Sequence, residues 1–253
     1  YQSRIPVKGK DEIAALSVSF NAMAEAVEKH VAEIKDVAEA RKLLLAALTH
    51  ELKTPMTAII GYSEALMKTR LTQEQREEAA AYINAECSRI ERLSQKLMQL
   101  IALDGGSGIT IAPTPVTELF ESVEKTLLPI AKRDGVVLDM ACGSETLSMD
   151  ADLMASVLIN LFDNARKAHA KHVHIVCSGG LISVTDDGCG IPADSIKRIT
   201  EPFYMVDKSR SRKAGGVGLG LALVKRIVAM HGGKLGILSQ IELGTCVEIE
   251  LPQ

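Results

Sequence analysis

The sequence predicts a two-part chain: a helical hairpin that pairs with a second copy into a dimeric four-helix bundle, then an α/β sandwich of the α+β type. A heptad seam fills the first fifty residues, a glycine cluster breaks the chain near residue 106, and strand and helix patterns mix beyond it.

The seam comes first. Ile13, Leu16, Phe20, Met23, Val27, His30, Ile34, Val37, Arg41, Leu44 and Leu48 alternate at spacings of three and four. That is coiled-coil periodicity, and a helix this long must bury its stripe on a partner, so a homodimer is expected. No Gly or Pro falls between Lys10 and Pro55 to interrupt it. His30 and Arg41 are polar seam positions, which trade stability for register. Gly61 and the polar stretch from Lys68 to Thr72 mark the end of this helix. A second helix starts at Thr72, with Gln75 three residues on as capping-box partner. Ile83, Ile90 and Leu97 repeat at seven, as do Leu93 and Leu100, which completes the hairpin. Asp104-Gly105-Gly106-Ser107-Gly108 then ends every periodicity and is the best domain boundary.

Past the boundary, Thr117–Lys132 reads as a helix, Val136–Met140 as a strand and Asp150–Ala170 as a helix. His172–Cys177 and Leu181–Thr185 read as strands around the turn Ser178-Gly179-Gly180. Leu219–Met230 is a helix, and Lys234–Leu238 and Cys246–Leu251 are closing strands. Without βαβ alternation, the arrangement is helices on one face of a mixed sheet.

Composition narrows the function classes. A hydrophobic share of 47% supports a packed core and argues against a disordered chain. A net charge of −3, with no Trp, four Tyr and four Phe, leaves neither a basic footprint nor a stacking platform for nucleic acid. Five cysteines without a C-x-x-C pair fit a reduced cytosolic setting and argue against structural zinc. No run reaches about 18 apolar residues, the length of a spanning helix. The opening Tyr1-Gln2-Ser3-Arg4 reads as an edge cut from a longer protein.

Four stretches carry chemistry. In Leu48-Thr-His-Glu-Leu-Lys-Thr-Pro55, His50 is a nucleophile available near neutral pH, with Glu51 beside it to orient or accept a proton. Pro55 has no N–H for the carbonyl of Glu51, so a bend is expected there. On its own, His50 reads as an ordinary helix-surface histidine. Asn160, Asn164 and Lys167 recur at four and three on one helix face. Their amide oxygens suit Mg²⁺ and the lysine suits phosphate, or the face is simply solvated. Asp186-Asp-Gly188-Cys-Gly190 follows a strand, where a carboxylate can accept from an exocyclic amine and glycines admit a flat ligand. Gly215-Gly216-Val-Gly218-Leu219-Gly220-Leu221 opens a helix and offers N–H donors to phosphate. Between these last two runs a polar loop with Lys208, Arg210, Arg212 and Lys213, placed to close over a triphosphate or to remain a solvated surface. His169, His172 and His174 make a poor metal site, because the chain changes from helix to strand among them.

Taken in order, these stretches resemble the sensor histidine kinases of two-component systems. Thr49–Pro55 is similar to the H box, Asn160–Lys167 to the N box, Asp186–Gly190 to the G1 box, Glu201-Pro202-Phe203 to the F box and Gly216–Leu221 to the G2 box. Gly244-Thr245 resembles the last glycine motif. Asp11–Leu16 with Phe20, Asn21 and Met23 resembles the end of a HAMP linker. Ala168 departs from the pattern, since an aromatic often follows the N-box lysine.

The resemblance implies three domains: 1–30 the end of a HAMP linker and coiled coil, 31–107 dimerisation and histidine phosphotransfer, 108–253 a catalytic domain with the Bergerat ATP-binding fold. It implies a transferase whose His50 takes the γ-phosphoryl group of ATP, with Glu51 as acid or base and Thr54 positioning water for dephosphorylation of the partner. Asn164 would bind Mg²⁺, Asn160 and Lys167 would lie near the phosphates, and Asp186 would read adenine, with Gly188 and Gly190 beside it. Lys208, Arg210, Gly216, Gly218, Leu219 and Gly220 would complete the nucleotide site, and Phe203 would help dock the lid on the bundle. The partners implied are a second copy and the receiver domain of a response regulator, with an aspartate as the final acceptor. The setting implied is the cytoplasmic part of a bacterial plasma-membrane sensor. The alternatives are a GHKL ATPase without phosphotransfer and a degenerate ATP-binding scaffold.

Overall fold

The computed structural model describes residues 5–6, 12–104, 108–206 and 216–252. The chain divides into two compact units, Tyr1–Lys53 and Thr54–Gln253.

In the first unit, helix α1 (Glu12–Lys68, continuing into the second unit) is the framework. Asn21 clips the preceding chain to it: Ile5 N–H donates to Oδ1 at 2.9 Å and Nδ2 donates to the Ile5 carbonyl at 2.8 Å. Ile13, Leu16, Phe20, Met23 and Ile34 of the seam are exposed on this single chain. An apolar stripe of that length is the face a coiled coil would cover. The helix carries on through Pro55 and Gly61 to Lys68.

In the second unit, the rest of α1 and α2 (Gln73–Asp104) form the hairpin. The turn closes with a reciprocal capping box: Thr72 N–H donates to Gln75 Oε1 at 3.0 Å, and Gln75 N–H donates to Thr72 Oγ1 at 3.2 Å. Tyr62 and Tyr82 stack across the hairpin with ring centroids 4.5 Å apart. Ala79, Leu93, Leu100 and Leu103 bury the inner face of α2.

The remainder is a two-layer α/β sandwich. Strands β2 (Val137–Cys142), β4 (His172–Ser178), β5 (Leu181–Asp186), β6 (Lys234–Gln240) and β7 (Gly244–Glu250) form one sheet in the order β2-β4-β5-β7-β6. Only β2 and β4 run parallel. Strands β1 (Ala112–Pro115) and β3 (Thr146–Met149) pair separately. Side chains alternate along the sheet, so Val173, Ile175, Cys177, Ile182, Val184, Val247 and Ile249 face inward. Helices α3 (Val116–Asp134), α4 (Ala151–Lys167) and α6 (Gly220–Met230) cover that face, and α5 (Ala193–Ile196) is a single turn. They contribute Leu127, Met154, Leu158, Phe162, Leu223 and Ile227, all essentially inaccessible.

Two caps fix α4, the helix that carries the asparagines. Asp150 Oδ1 accepts from Leu153 N–H at 3.1 Å. The Asp150 N–H in turn donates to His231 Nε2 at 3.0 Å, while His231 Nδ1 lies 2.8 Å from the Ile227 carbonyl. A carbonyl only accepts, so Nδ1 bears the proton and the buried imidazole is the Nδ1–H tautomer. His231 thereby ties the end of α6 to the start of α4.

Candidate nucleotide and phosphoacceptor sites

α4, the end of β5 and the segment leading into α6 converge on one cleft. Its outer part is a cavity of about 480 Å³ reached by Asn164, Lys167, Gly190, Gly216, Gly218 and Gly220. A deeper lobe of about 140 Å³ shares Asn164 and Gly190 and adds Asp186 and Thr245. Between them stand Ile191, Ile199 and Leu221, which line both. A flat apolar slot with one carboxylate inside and cations at the mouth suits a purine carrying phosphates.

Asp186 sits at the C-terminal end of β5, where pairing to β7 stops. Its Oδ1 accepts from Gly188 N–H at 2.8 Å. Burial pushes its carboxyl above the usual range, hydrogen bonds from Gly188 and Thr245 oppose the shift, and neighbouring Asp187 adds to it. Gly190 adopts φ +70°, and a Cβ there would run into the backbone of Gln240 and Ile241. Gly218 adopts φ +74°, and a Cβ there would come within 2.9 Å of the Phe203 backbone. Phe203 itself is buried, with φ +64°, and its N–H donates to the Gly218 carbonyl at 2.7 Å. It braces the glycine segment rather than standing out as a docking knob. Ala168 is part of the floor: its methyl lies against Gly188, and its carbonyl accepts from Cys189 N–H at 3.0 Å. A larger side chain would fill that contact.

The phosphate end is built from α4. Lys167 Nζ is held by Asp163 Oδ2 at 2.6 Å, and Arg166 by Asp163 Oδ1 at 2.6 Å and Asp134 Oδ2 at 2.9 Å. Burial would raise the Asp163 carboxyl, but Lys167 and Arg166 hold it below its ordinary value. Asp163 is a positioning residue that the sequence reading passed over; its signal was the three- and four-residue spacing to Arg166 and Lys167.

Asn160 is buried, donating from Nδ2 to the Ser156 carbonyl at 2.8 Å. Asn164 is different: its Nδ2 is buried with no hydrogen-bond partner among the described residues. An amide without a partner in an open cleft is available to a ligand. The Asn160 and Asn164 oxygens lie 3.3 and 3.5 Å from the point a Cβ on Gly220 would occupy. Hard amide oxygens beside a phosphate-sized cleft fit Mg²⁺ carried on a nucleotide. Among the described residues no cluster of His, Cys, Asp and Glu is placed to hold a metal. His172 pairs with Asp187 and His174 with Asp139, so the three nearby histidines do not converge.

Not every expected residue reaches the cleft. The Leu219 side chain is wholly inaccessible and lines neither lobe, which leaves only its backbone for a ligand. Lys208, Arg210, Arg212 and Lys213 lie outside the described residues, as does most of the Asp104–Gly108 linker. Lys96, which no spacing in α2 singles out, reaches the outer lobe. Burial, then Lys167, pushes its ammonium below the usual range, against an opposing pull from Asp163.

The phosphoacceptor candidate is on α1. The His50 side chain is 66% exposed while Glu51 beside it is 6% exposed, and Nδ1 lies 3.6 Å from Glu51 Oε1. A buried carboxylate facing Nδ1 favours the proton on that nitrogen, which leaves the lone pair on Nε2. Thr54, one turn further along, is exposed, and Pro55 is buried.

The sheet order, the one-sided helical layer and the cleft between α4 and α6 define an ATPase domain joined to a helical hairpin. Residues 149–253 match the histidine kinase-, DNA gyrase B- and HSP90-like ATPase family, residues 40–106 the His Kinase A (phospho-acceptor) domain, and residues 1–29 the HAMP domain. With these three in order, the chain belongs to the sensor histidine kinases. Sensor histidine kinase YkoH of Bacillus subtilis is 29% identical over 97% of this chain, and sensor protein SrrB of Staphylococcus aureus 30% identical over 84%. The chain spans 54% of the first and 38% of the second. Among solved structures, full-length ShkA in complex with AMPPNP is 29% identical with a TM-score of 0.59, covering 82% of this chain and 45% of that one. Histidine kinase ThkA in complex with response regulator TrrA shares the fold, with a TM-score of 0.66 at 22% identity over 82% of this chain and 60% of that one.

Proposed function

We propose that the chain is the ATP-dependent core of a homodimeric sensor histidine kinase, which phosphorylates itself on His50 and passes the phosphoryl group to an aspartate of a response regulator. The observation that carries this is the cleft: a carboxylate in an apolar slot at one end and an unpartnered asparagine amide at the other. A GHKL ATPase without phosphotransfer would share the cleft. It would have no use for an exposed histidine beside a buried carboxylate.

On this proposal Asp186 accepts from the adenine amine, and Gly188 and Gly190 keep the floor low enough for the ring. Lys167, Asn160 and the backbone from Gly216 to Gly220, Leu219 included, surround the phosphates, with Lys208 and Arg210 assigned to the closing loop. Asn164 holds Mg²⁺, which when bound spreads the charge of the phosphates. Nε2 of His50 attacks the γ-phosphorus in line, the bond to the β–γ bridging oxygen breaks, and ADP leaves. Glu51 holds the Nδ1 proton as positive charge builds on the imidazole. The phosphoryl group then moves to the receiver aspartate, and Thr54 positions water when that aspartyl phosphate is hydrolysed. The domains assigned are 1–30, 31–107 and 108–253.

The HAMP match and the sensor relatives support a membrane-anchored parent with this part in the cytoplasm. Among the described residues, no helix is long and apolar enough to cross a membrane. The test is incubation with γ-labelled ATP and Mg²⁺. Acid-labile label that disappears in His50→Gln is expected; label that persists in His50→Gln, or none in the parent, overturns the proposal.

A further inference from the structure

Lys96 belongs to the hairpin, not to the α/β domain, yet it completes the polar end of the cleft. Its Nζ donates to Asn160 Oδ1 at 2.8 Å, across 64 residues of sequence. It also lies 3.7 Å from the point that a Cβ on Gly220 would occupy, beside the Asn160 and Asn164 oxygens. The contact is supported from the side: α2 packs against α6, and Arg226 Nη2 reaches the Leu103 carbonyl at 3.4 Å.

This is an expensive place for an ammonium. Lys96 is partly buried, Lys167 is close by, and the N-terminal end of α6 presents the positive end of its dipole. The nearby carboxylate, Asp163, is engaged with Lys167 and Arg166. Two lysines and a helix N-terminus around a cavity, against one carboxylate, make a field that favours a polyanion.

We propose that Lys96 is a phosphate ligand of the nucleotide site, contributed by the hairpin, so that bound ATP is gripped by both α2 and the α/β domain. The inference rests on the nucleotide reading of the cleft. On binding, the ammonium exchanges the neutral Asn160 oxygen for a charged phosphate oxygen, and no covalent bond changes. Nucleotide occupancy then strengthens the packing of α2 on α6.

The test compares the chain with Lys96→Met and Lys96→Arg by calorimetric titration with Mg-ATP and, separately, with adenosine. Lys96→Met should weaken Mg-ATP by about tenfold, the size of one charge-assisted hydrogen bond, and leave adenosine unchanged. Lys96→Arg should keep most of the affinity. Unchanged Mg-ATP affinity in Lys96→Met overturns the proposal. So does tighter binding, which would make the ammonium a competitor of the metal, and so does a parallel loss of adenosine, which would make its role structural. If the parent chain binds neither ligand, the nucleotide reading itself fails and this inference with it.

Discussion

Replacing Asp186 with asparagine separates nucleotide recognition from folding. The carboxylate takes backbone hydrogen bonds from Gly188, at 2.8 Å, and from Thr245, and an asparagine oxygen can take over the first. The other side-chain position becomes an NH₂, which meets the adenine amine donor to donor. The loss is one hydrogen bond to a charged acceptor, about 1.5–3 kcal/mol, or roughly 10- to 150-fold in affinity. Stability should move the other way. Burial, helped by Asp187, holds the folded Asp186 carboxyl above its ordinary value of 3.8. A raised carboxyl contributes stability below its unfolded value and loses it as pH rises through the folded value. Asparagine does not titrate. Thermal unfolding should therefore find Asp186→Asn gaining stability relative to the parent as pH rises from about 4 to neutral. Calorimetric titration with Mg-ATP supplies the binding arm. Retained affinity would refute Asp186 as the purine reader, and a stability difference that does not change between about pH 4 and neutral would refute the burial argument.

Three further outcomes follow from local geometry. Glu51→Gln should slow label transfer to His50 by about 100-fold in single-turnover assays while Mg-ATP affinity stays constant, because the carboxylate faces His50 Nδ1 and is not among the residues lining the cleft. Thr72→Ala removes one arm of the capping box at the hairpin turn and should cost about 1 kcal/mol in urea unfolding. Asp187, whose carboxyl is brought down to about 2 by the His172 and Lys171 hydrogen bonds, adds stability above its ordinary value that is lost as pH falls toward 2. Asp187→Asn should flatten the melting temperature against pH between about 4 and 2, with the midpoint read by circular dichroism.

The features that were legible in the sequence are those set by near neighbours. Heptad spacing found both long helices, and the Thr72–Gln75 pair located the start of the second to within a residue. Alternation found β4 and β5, with ends one residue beyond those expected. Strand β1 was missed because Ala112-Pro113-Thr114-Pro115 contains two prolines, which argue against a strand unless it lies at an edge. Its partner β3 is four residues long and pairs with nothing else, so no periodicity marked it. In the site, the N-box face and the Asp186 turn were readable because each is a single local segment. Lys96 was not, because nothing in the spacing of α2 distinguishes a lysine that meets Asn160 from one in solvent.

The two sites make opposite demands on water, and the distribution of burial follows from this. Reading a purine requires a dry slot, so Asp186 is held partly buried among Ile191, Ile199 and Leu221 despite the cost to its ionised form. The phosphoacceptor proposed, which would serve first a nucleotide and then a second protein, has to stand free, and the His50 side chain is 66% exposed. Its chemistry still needs a fixed tautomer, which solvent alone does not impose. On the proposed function, Glu51, buried and 3.6 Å from Nδ1, biases the proton to that nitrogen and leaves Nε2 for attack. On the same proposal, the nucleotide is read where water is excluded and its γ-phosphoryl group is taken by a histidine that solvent reaches.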